Sequence, residues 1–178
     1  MIFAGFGGQG VLLAGQVVSY AGMDEGKHVS WLPSYGPEMR GGTASCSVVV
    51  SDEEVASPAV MRPDVAVVMN RPSMEKFESR VKPGGTLIMN TDLIEIEPQR
   101  TDIRVVRIPA NVLAEKAGTI RAANMVALGA CNACVPVVED TSIIEALAKI
   151  MGEKKKHLIP MNEHALQLGR LAAQDEDQ

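Results

Sequence analysis

The stretch Ile2-Phe3-Ala4-Gly5-Phe6-Gly7-Gly8-Gln9-Gly10-Val11 decides the fold. Its apolar beginning is typical of a buried strand, and the glycines that follow predict a tight turn. An apolar pattern at helical spacing comes next, formed by Val11, Leu12, Ala14, Gly15, Val18 and Gly22. Gly26 is expected to end this helix, because glycine tolerates the left-handed backbone found at helix C-termini. A strand, a glycine turn and a helix in this order predict an α/β domain.

Short apolar runs alternate with helical segments further along the chain. Strands are predicted at His28 to Leu32, ending at Pro33, and at Thr43 to Ser51, Asp64 to Met69, Thr86 to Asn90 and Asp102 to Ile108. Helices are predicted at Ser73 to Val81, at Ala110 to Lys116 with a stop at Gly118, and at Ile120 to about Cys134. Two more are predicted: one capped by Ser142 and Glu145 that ends at Gly152, and a last one from Asn162 to about Ala173.

This alternation favours a single-domain, three-layer α/β fold with a mostly parallel sheet. The segment Tyr35 to Ser51 interrupts the alternation, so it is expected to add strands that make the sheet mixed. We assign residues 1–173 to the domain and residues 174–178 to a polar C-terminal tail.

Composition excludes several classes of function. The 178 residues carry a net charge of −5 and six aromatic side chains, which disfavours binding to nucleic acid. Met1 to Met23 is uncharged, but its glycines and its lack of Lys or Arg argue against a membrane span or a signal peptide. Three cysteines are too few for an all-cysteine iron–sulfur cluster and, without a secretory signal, indicate a cytoplasmic protein.

Gly5 to Gly10 fits the pattern G-x-G-x-x-G between a strand and a helix. Such a turn lets backbone N–H groups at a helix N-terminus approach an anion, and the candidate binding residues are Gly5, Gly7, Gly8, Gln9 and Gly10. The alternative is a packing turn without a ligand. An NAD site is disfavoured because His28 to Ser34 offers no carboxylate for a ribose.

A second candidate motif runs Tyr35-Gly36-Pro37-Glu38-Met39-Arg40-Gly41-Gly42. Its proline fixes one backbone angle while its glycines free others, a combination suited to placing a functional group. The candidate binding residues are Tyr35, Glu38, Arg40, Gly41 and Gly42, with Arg40 as a forked donor to a phosphate or carboxylate. The alternative is an edge loop with a surface ion pair.

Cys131 and Cys134 lie three residues apart in a predicted helix rich in alanine and glycine. Core packing is a better interpretation than a zinc or redox site, because the histidines supply no ligand pattern beside them. Lys154 to Lys156 is interpreted as a solvated helix end.

Together, Gly-Phe-Gly-Gly-Gln-Gly-Val and Ser-Tyr-Gly-Pro-Glu-Met-Arg-Gly-Gly-Thr-Ala resemble the motifs of the gamma subunit of 2-oxoacid:ferredoxin oxidoreductases. The resemblance extends through Asn124 to the helix predicted from Asn162. The second motif is more similar to the 2-oxoglutarate branch than to the pyruvate branch.

The resemblance implies a Rossmann-like subunit, inactive alone, of a complex that oxidatively decarboxylates a 2-oxo acid to its acyl-CoA. The complex would use thiamine diphosphate, Mg²⁺, iron–sulfur clusters and coenzyme A, held on or with partner subunits. The implied partners are alpha and beta subunits, a ferredoxin-like delta subunit as a further candidate, and ferredoxin as electron acceptor. Two alternatives stay open: a free-standing dinucleotide-binding oxidoreductase and a non-catalytic scaffold subunit.

Overall fold

The computed structural model describes residues 1–35 and 43–176. The strands are β1 (Ile2–Phe6), β2 (His28–Tyr35), β3 (Thr43–Ser51), β4 (Val65–Val68), β5 (Thr86–Asn90) and β6 (Arg104–Ile108). The helices are α1 (Val11–Asp24), α2 (Arg71–Phe77), α3 (Ala110–Ala117), α4 (Ala123–Cys134), α5 (Asp140–Met151) and α6 (Ile159–Asp175). Short 3₁₀ turns occupy Glu78–Arg80, Ile120–Ala122 and Glu153–Leu158.

The strands form one sheet in the order β2-β3-β1-β4-β5-β6. Strands β1, β4, β5 and β6 are parallel, whereas β3 runs antiparallel to both of its neighbours, β1 and β2. The predicted mixed, mostly parallel α/β fold is therefore confirmed, and the added antiparallel strand comes from the segment that interrupts the alternation.

Helices cover both faces of the sheet and create two apolar cores. The larger core joins α1, α3, α4, α5 and α6 to one face, and the smaller core joins α2 to the other. Strands β4 and β5 are buried on both faces, as their continuous apolar runs predict. No helix in residues 1–35 and 43–176 is long and apolar enough to cross a membrane.

Pro33 does not end β2, contrary to the prediction. The strand continues to Tyr35, and Pro33 pairs in register with Cys46 of β3. Because β2 is an edge strand, it has a side with no neighbouring strand, where the missing N–H of a proline removes no ladder hydrogen bond.

Two predicted helix caps are also wrong. Helix α5 begins at Asp140, so Ser142 lies inside it, and its N-cap residue Glu139 makes no side-chain capping bond. Helix α6 begins at Ile159, and Asn162 lies one turn inside it, where its Nδ2 donates to the Leu158 carbonyl oxygen at 2.8 Å. The predicted stops are confirmed: the φ angles of Gly26, Gly118 and Gly152 are all positive.

Two glycines let the backbones of α4 and α6 touch. A Cβ at Gly129 would overlap the carbonyl oxygen of Leu166, and a Cβ at Gly169 would overlap that of Val126. Both obstacles are backbone atoms, which cannot rotate away. The position of α6 on the sheet thus depends on the absence of a Cβ atom at Gly129 and at Gly169.

We expect Gly129→Ala to lower the free energy of unfolding by about 1–3 kcal/mol, because the added methyl group must push α6 outward. Urea denaturation measures the loss. Gln167→Ala, on the exposed side of α6, is the control and should stay within about 0.5 kcal/mol of wild type. Equal stabilities for the two variants would contradict the close crossing.

Two cysteine thiols lie inside the larger core. Cys46 and Cys131 are each 1% exposed. Burial raises the pKa of Cys46 to about 11 and that of Cys131 to about 12. Cys131 therefore behaves as an apolar core residue, as predicted, while Cys134 is partly buried at the edge of the same core.

A raised thiol pKa makes stability fall in alkali. Above about pH 9 the unfolded chain releases the Cys131 proton while the folded chain keeps it, so unfolding becomes easier by about 1.4 kcal/mol per pH unit up to the folded pKa. Unfolding free energies at pH 8 and pH 10 should therefore fall further in wild type than in Cys131→Ala. The same fall in both proteins would show that the thiol is not protected.

Candidate functional site

The glycine turn lies at the C-terminal end of β1, where it leads into α1. The N–H of Gln9 donates to the carbonyl oxygen of Phe6 at 3.1 Å, which closes a four-residue turn. Gly7 and Gly8 form its exposed tip, and Gly8 has φ +102°, a conformation that favours glycine. A Cβ at Gly8 would meet none of the described residues within 4 Å, so they leave the space outside Gly8 open.

Gln9 holds the turn instead of facing outward. Its Oε1 accepts from the Phe6 N–H at 2.6 Å and from Asn70 Nδ2 at 3.2 Å, while its Nε2 donates to the Met69 carbonyl oxygen at 3.1 Å. Gly5 is buried under this clamp, where a Cβ would crowd Gln9 Oε1 at 2.7 Å. Gly5 and Gln9 therefore determine the shape of the turn, and Gly7 and Gly8 are its exposed residues.

Gly10 forms the junction with α1. It has φ +73°, and a Cβ there would lie 2.6 Å from Nδ2 of Asn124, which donates to the Gly10 carbonyl oxygen at 3.1 Å. Gly10 is the N-cap residue and makes no side-chain capping bond to α1, and the first turn of α1 contains no acidic residue. The first N–H groups of α1 thus keep the partial positive charge that attracts anions at a helix N-terminus.

The second motif begins and ends beside this turn. Tyr35 is the last residue of β2 and pairs in register with Ala44, and Thr43, which begins β3, pairs with Phe6. Both strand ends lie at the glycine-turn end of the sheet. The remaining predicted binding residues of the motif, Glu38, Arg40, Gly41 and Gly42, lie outside the described residues, and their roles stay predictions.

The strand order disfavours a dinucleotide site. In the classic dinucleotide fold, the second strand lies beside the first and its carboxyl end carries the ribose-binding acid. Here the antiparallel strand β3 separates β2 from β1. The amino end of β3 therefore occupies the position beside β1 where the ribose would bind. This is a second argument against a dinucleotide site, besides the absence of a carboxylate in His28 to Ser34.

A cavity of about 440 Å³ opens beside Gly10, between the beginnings of α1, α4 and α6. Arg121 and Lys155 line it, and neither was predicted as a site residue. Lys155 belongs to the run interpreted as a solvated helix end. No local pattern singles out Arg121, because its place depends on how the helices pack.

The described residues do not suit the redox cofactors that the resemblance implies. Residues 1–35 and 43–176 contain no group of three or more His, Cys, Asp or Glu side chains able to hold a metal ion. Two of the three cysteines are buried in the apolar core, and the third lies in the same helix as Cys131. These donors do not fit an iron–sulfur cluster.

The sequence matches the family described as "Pyruvate ferredoxin/flavodoxin oxidoreductase" over residues 1–172. It is 43% identical over 167 residues to the ketoisovalerate oxidoreductase subunit VorA of Methanothermobacter thermautotrophicus. The aligned region covers 93% of this chain but 34% of VorA. The chain thus spans about a third of the length of VorA. It is 38% identical over 176 residues to the 2-oxoglutarate synthase subunit KorC of Methanothermobacter marburgensis, covering 94% of this chain and 92% of the relative.

Among solved structures, the chain is similar to a 2-oxoglutarate:ferredoxin oxidoreductase from Magnetococcus marinus that has 2-oxoglutarate, coenzyme A and succinyl-CoA bound. The TM-score is 0.87 at 26% identity, over 98% of this chain and 30% of that one. The resemblance to gamma subunits of this enzyme class is confirmed. The chain therefore belongs to the pyruvate ferredoxin/flavodoxin oxidoreductase family, as its two motifs predict.

Proposed function

We propose that this chain is the gamma subunit of a complex that oxidises a 2-oxo acid to its acyl-CoA and passes the electrons to ferredoxin. Its partners are the alpha and beta subunits, with a ferredoxin-like delta subunit as a further candidate. In this complex the chain completes the assembly and contributes to the coenzyme A side of the active site.

One observation carries the proposal: the exposed tip of the glycine turn beside the uncapped N-terminus of α1. Gly8 leaves open space outside the turn, while Gln9 and Asn124 hold the backbone behind it. A phosphorylated ligand or a partner backbone can approach the turn at Gly8, where none of the described residues lies within 4 Å of an added Cβ. Arg40 is proposed to add a forked donor from the second motif.

The chemistry of decarboxylation and electron transfer belongs to the partners. Thiamine diphosphate with Mg²⁺, and iron–sulfur clusters, supply the carbanion chemistry and the electron path in the proposed complex. The described residues of this chain offer no donor set for a cluster. The contribution of this chain is to the assembly of the complex and to the coenzyme A side of its active site.

Two substrates have specific support. The second motif favours 2-oxoglutarate, as does the 38% identity to KorC over nearly its whole length. The 43% identity to VorA favours ketoisovalerate, a branched 2-oxo acid. We keep 2-oxoglutarate as the predicted substrate and ketoisovalerate as the second candidate.

We expect the purified chain alone to be colourless and to reduce no ferredoxin, because the cofactors need ligands that its partners supply. Co-purification from the native host should recover the partner chains together with activity dependent on coenzyme A. Assays with 2-oxoglutarate, ketoisovalerate and pyruvate then identify the substrate. Ferredoxin reduction by the chain alone, or a complex inactive with every 2-oxo acid, would contradict the proposal.

Gly8→Ala should impair the assembled complex because its methyl group enters the open space before α1. The residue Gly84, in the turn that precedes β5 at the opposite end of the sheet, offers a matched control. Gly84 has φ +74° and likewise nothing within 4 Å of an added Cβ. Each substitution should cost about 1–2 kcal/mol in stability for the same backbone reason.

Activity and assembly separate the two variants. Gly8→Ala should weaken subunit association or raise the Michaelis constant for coenzyme A, whereas Gly84→Ala should leave both unchanged. If the two variants work equally well in the complex, the turn serves packing alone and the scaffold alternative gains support.

A further inference from the structure

Another cavity, of about 380 Å³, opens beside the C-terminal end of α1. Its lining comes from Lys27, which follows α1, from Asn132 near the end of α4, from residues 136–141, which lead into α5, and from Arg170 of α6. The glycine turn lies at the other end of α1, about 20 Å away for a helix of 14 residues. None of the lining residues belongs to either motif, so this inference does not depend on the proposed function.

Asn132 carries a buried acceptor for which the described residues supply no donor. The residue is 4% exposed, and its Oδ1 has no hydrogen-bond partner within residues 1–35 and 43–176. The orientation of the amide is fixed, because Nδ2 donates to the Val138 carbonyl oxygen at 2.9 Å and to Asp140 Oδ1 at 2.7 Å. Turning the amide over would place Oδ1 against two acceptors. A buried oxygen held in this way calls for a donor from outside the described residues.

The two cations of the lining are already paired. Lys27 Nζ lies 3.1 Å from Glu25 Oε2, and Arg170 donates to Asp140 Oδ2 at 2.7 Å. A carboxylate or a fully ionised phosphate entering the cavity would have to displace one of these partners, and it would bring no donor to Asn132. The lining therefore disfavours an anion as the recognised group.

Glu139 contributes a carboxylate that is not compensated. Its backbone N–H donates to Glu25 Oε1 at 2.7 Å, which holds the residue at the beginning of α5. Its side chain has no ion-pair partner in the described part of the chain. The cavity therefore combines an unpaired negative charge with an unpaired amide oxygen. A protonated primary amine answers both, since it carries a positive charge and three N–H donors.

We propose that this cavity binds a small organic molecule that carries a protonated primary amine. One N–H donates to Asn132 Oδ1, and Glu139 balances the ammonium charge. The rest of the molecule lies along residues 136–138. A volume of about 380 Å³ suits such a ligand, because it is within the range of small-molecule sites and exceeds what a single water or metal ion needs.

The side-chain amide signals of Asn132 make the contact visible by NMR in the ¹⁵N-labelled, full-length chain. n-Butylammonium should shift the signals of Asn132 Nδ2, because a hydrogen bond to Oδ1 polarises the whole amide group. Asn124, which is also 4% exposed and lies beside the glycine turn, is the internal reference, and its signals should stay in place.

Two analogues of n-butylammonium separate the charge from the N–H donors. Butyltrimethylammonium keeps the charge but has no N–H, and 1-butanol keeps a donor but has no charge. Each should bind at least about tenfold more weakly than n-butylammonium, because each loses the charge-assisted hydrogen bond to Asn132.

Glu139→Gln removes the uncompensated charge at an exposed position, so this variant should fold as the wild type does. It should weaken the n-butylammonium titration by about 2- to 5-fold, the range for an ion pair at a solvent-exposed carboxylate. Glu145→Gln is the matched control, because Glu145 is exposed on the same helix and lies outside the cavity. This control should titrate like wild type.

Titrations with L-alanine and 1,4-diaminobutane distinguish two sources of the amine. Tighter binding of L-alanine than of n-butylammonium supports an amino acid as the ligand, and tighter binding of 1,4-diaminobutane supports a diamine. The inference is overturned if the Asn132 signals stay fixed with every amine, if butyltrimethylammonium or potassium chloride acts as strongly as n-butylammonium, or if Glu139→Gln titrates like wild type. These titrations need neither partner subunits nor a 2-oxo acid, so their failure leaves the proposed function intact.

Discussion

Strand β1 pairs with β3 in antiparallel register from Ile2↔Ser47 to Phe6↔Thr43, and the site depends on this pairing. It places the beginning of β3 beside the glycine turn, and the pairing of Tyr35 with Ala44 places the end of β2 at the same edge. The two motifs, separated in the sequence, are thereby anchored at one end of the sheet. The same pairing separates β2 from β1, which removes the geometry that a dinucleotide site requires.

The turn itself is held from two sides. Gln9 spans from the Phe6 N–H to the Met69 carbonyl, tying β1 to the end of β4, and Asn124 of α4 holds the Gly10 carbonyl. Because these bonds satisfy the backbone behind the turn, the glycines at the tip need no side-chain support. A backbone held by these hydrogen bonds, with open space outside Gly8, suits the binding of an anion or a partner, since little further ordering of the turn is needed on association.

The chain combines an acidic surface overall with a local excess of positive charge. Its net charge is −5, yet Arg121 and Lys155 line one cavity without ion-pair partners among the described residues. Most other basic side chains with described contacts pair with carboxylates, such as Arg170 with Asp140 and Lys82 with Asp64. The position of α6, which carries Met161 and Asn162 into the cavity, depends in turn on the bare glycines Gly129 and Gly169.

Local rules in the sequence determined the strand, glycine turn and helix at the beginning, the buried strands, and the helix stops at Gly26, Gly118 and Gly152. Periodicity and positive φ angles are properties of neighbouring residues, so the sequence displays them directly. Long-range packing decided the rest. Pro33 remains in a strand because β2 is an edge strand. Gln9 turns inward because Met69, directly after β4, offers a carbonyl, and Asn162 lies inside a helix because α6 begins earlier. Arg121 and Lys155 face one cavity because helices distant in sequence meet there, a fact that no local pattern contains.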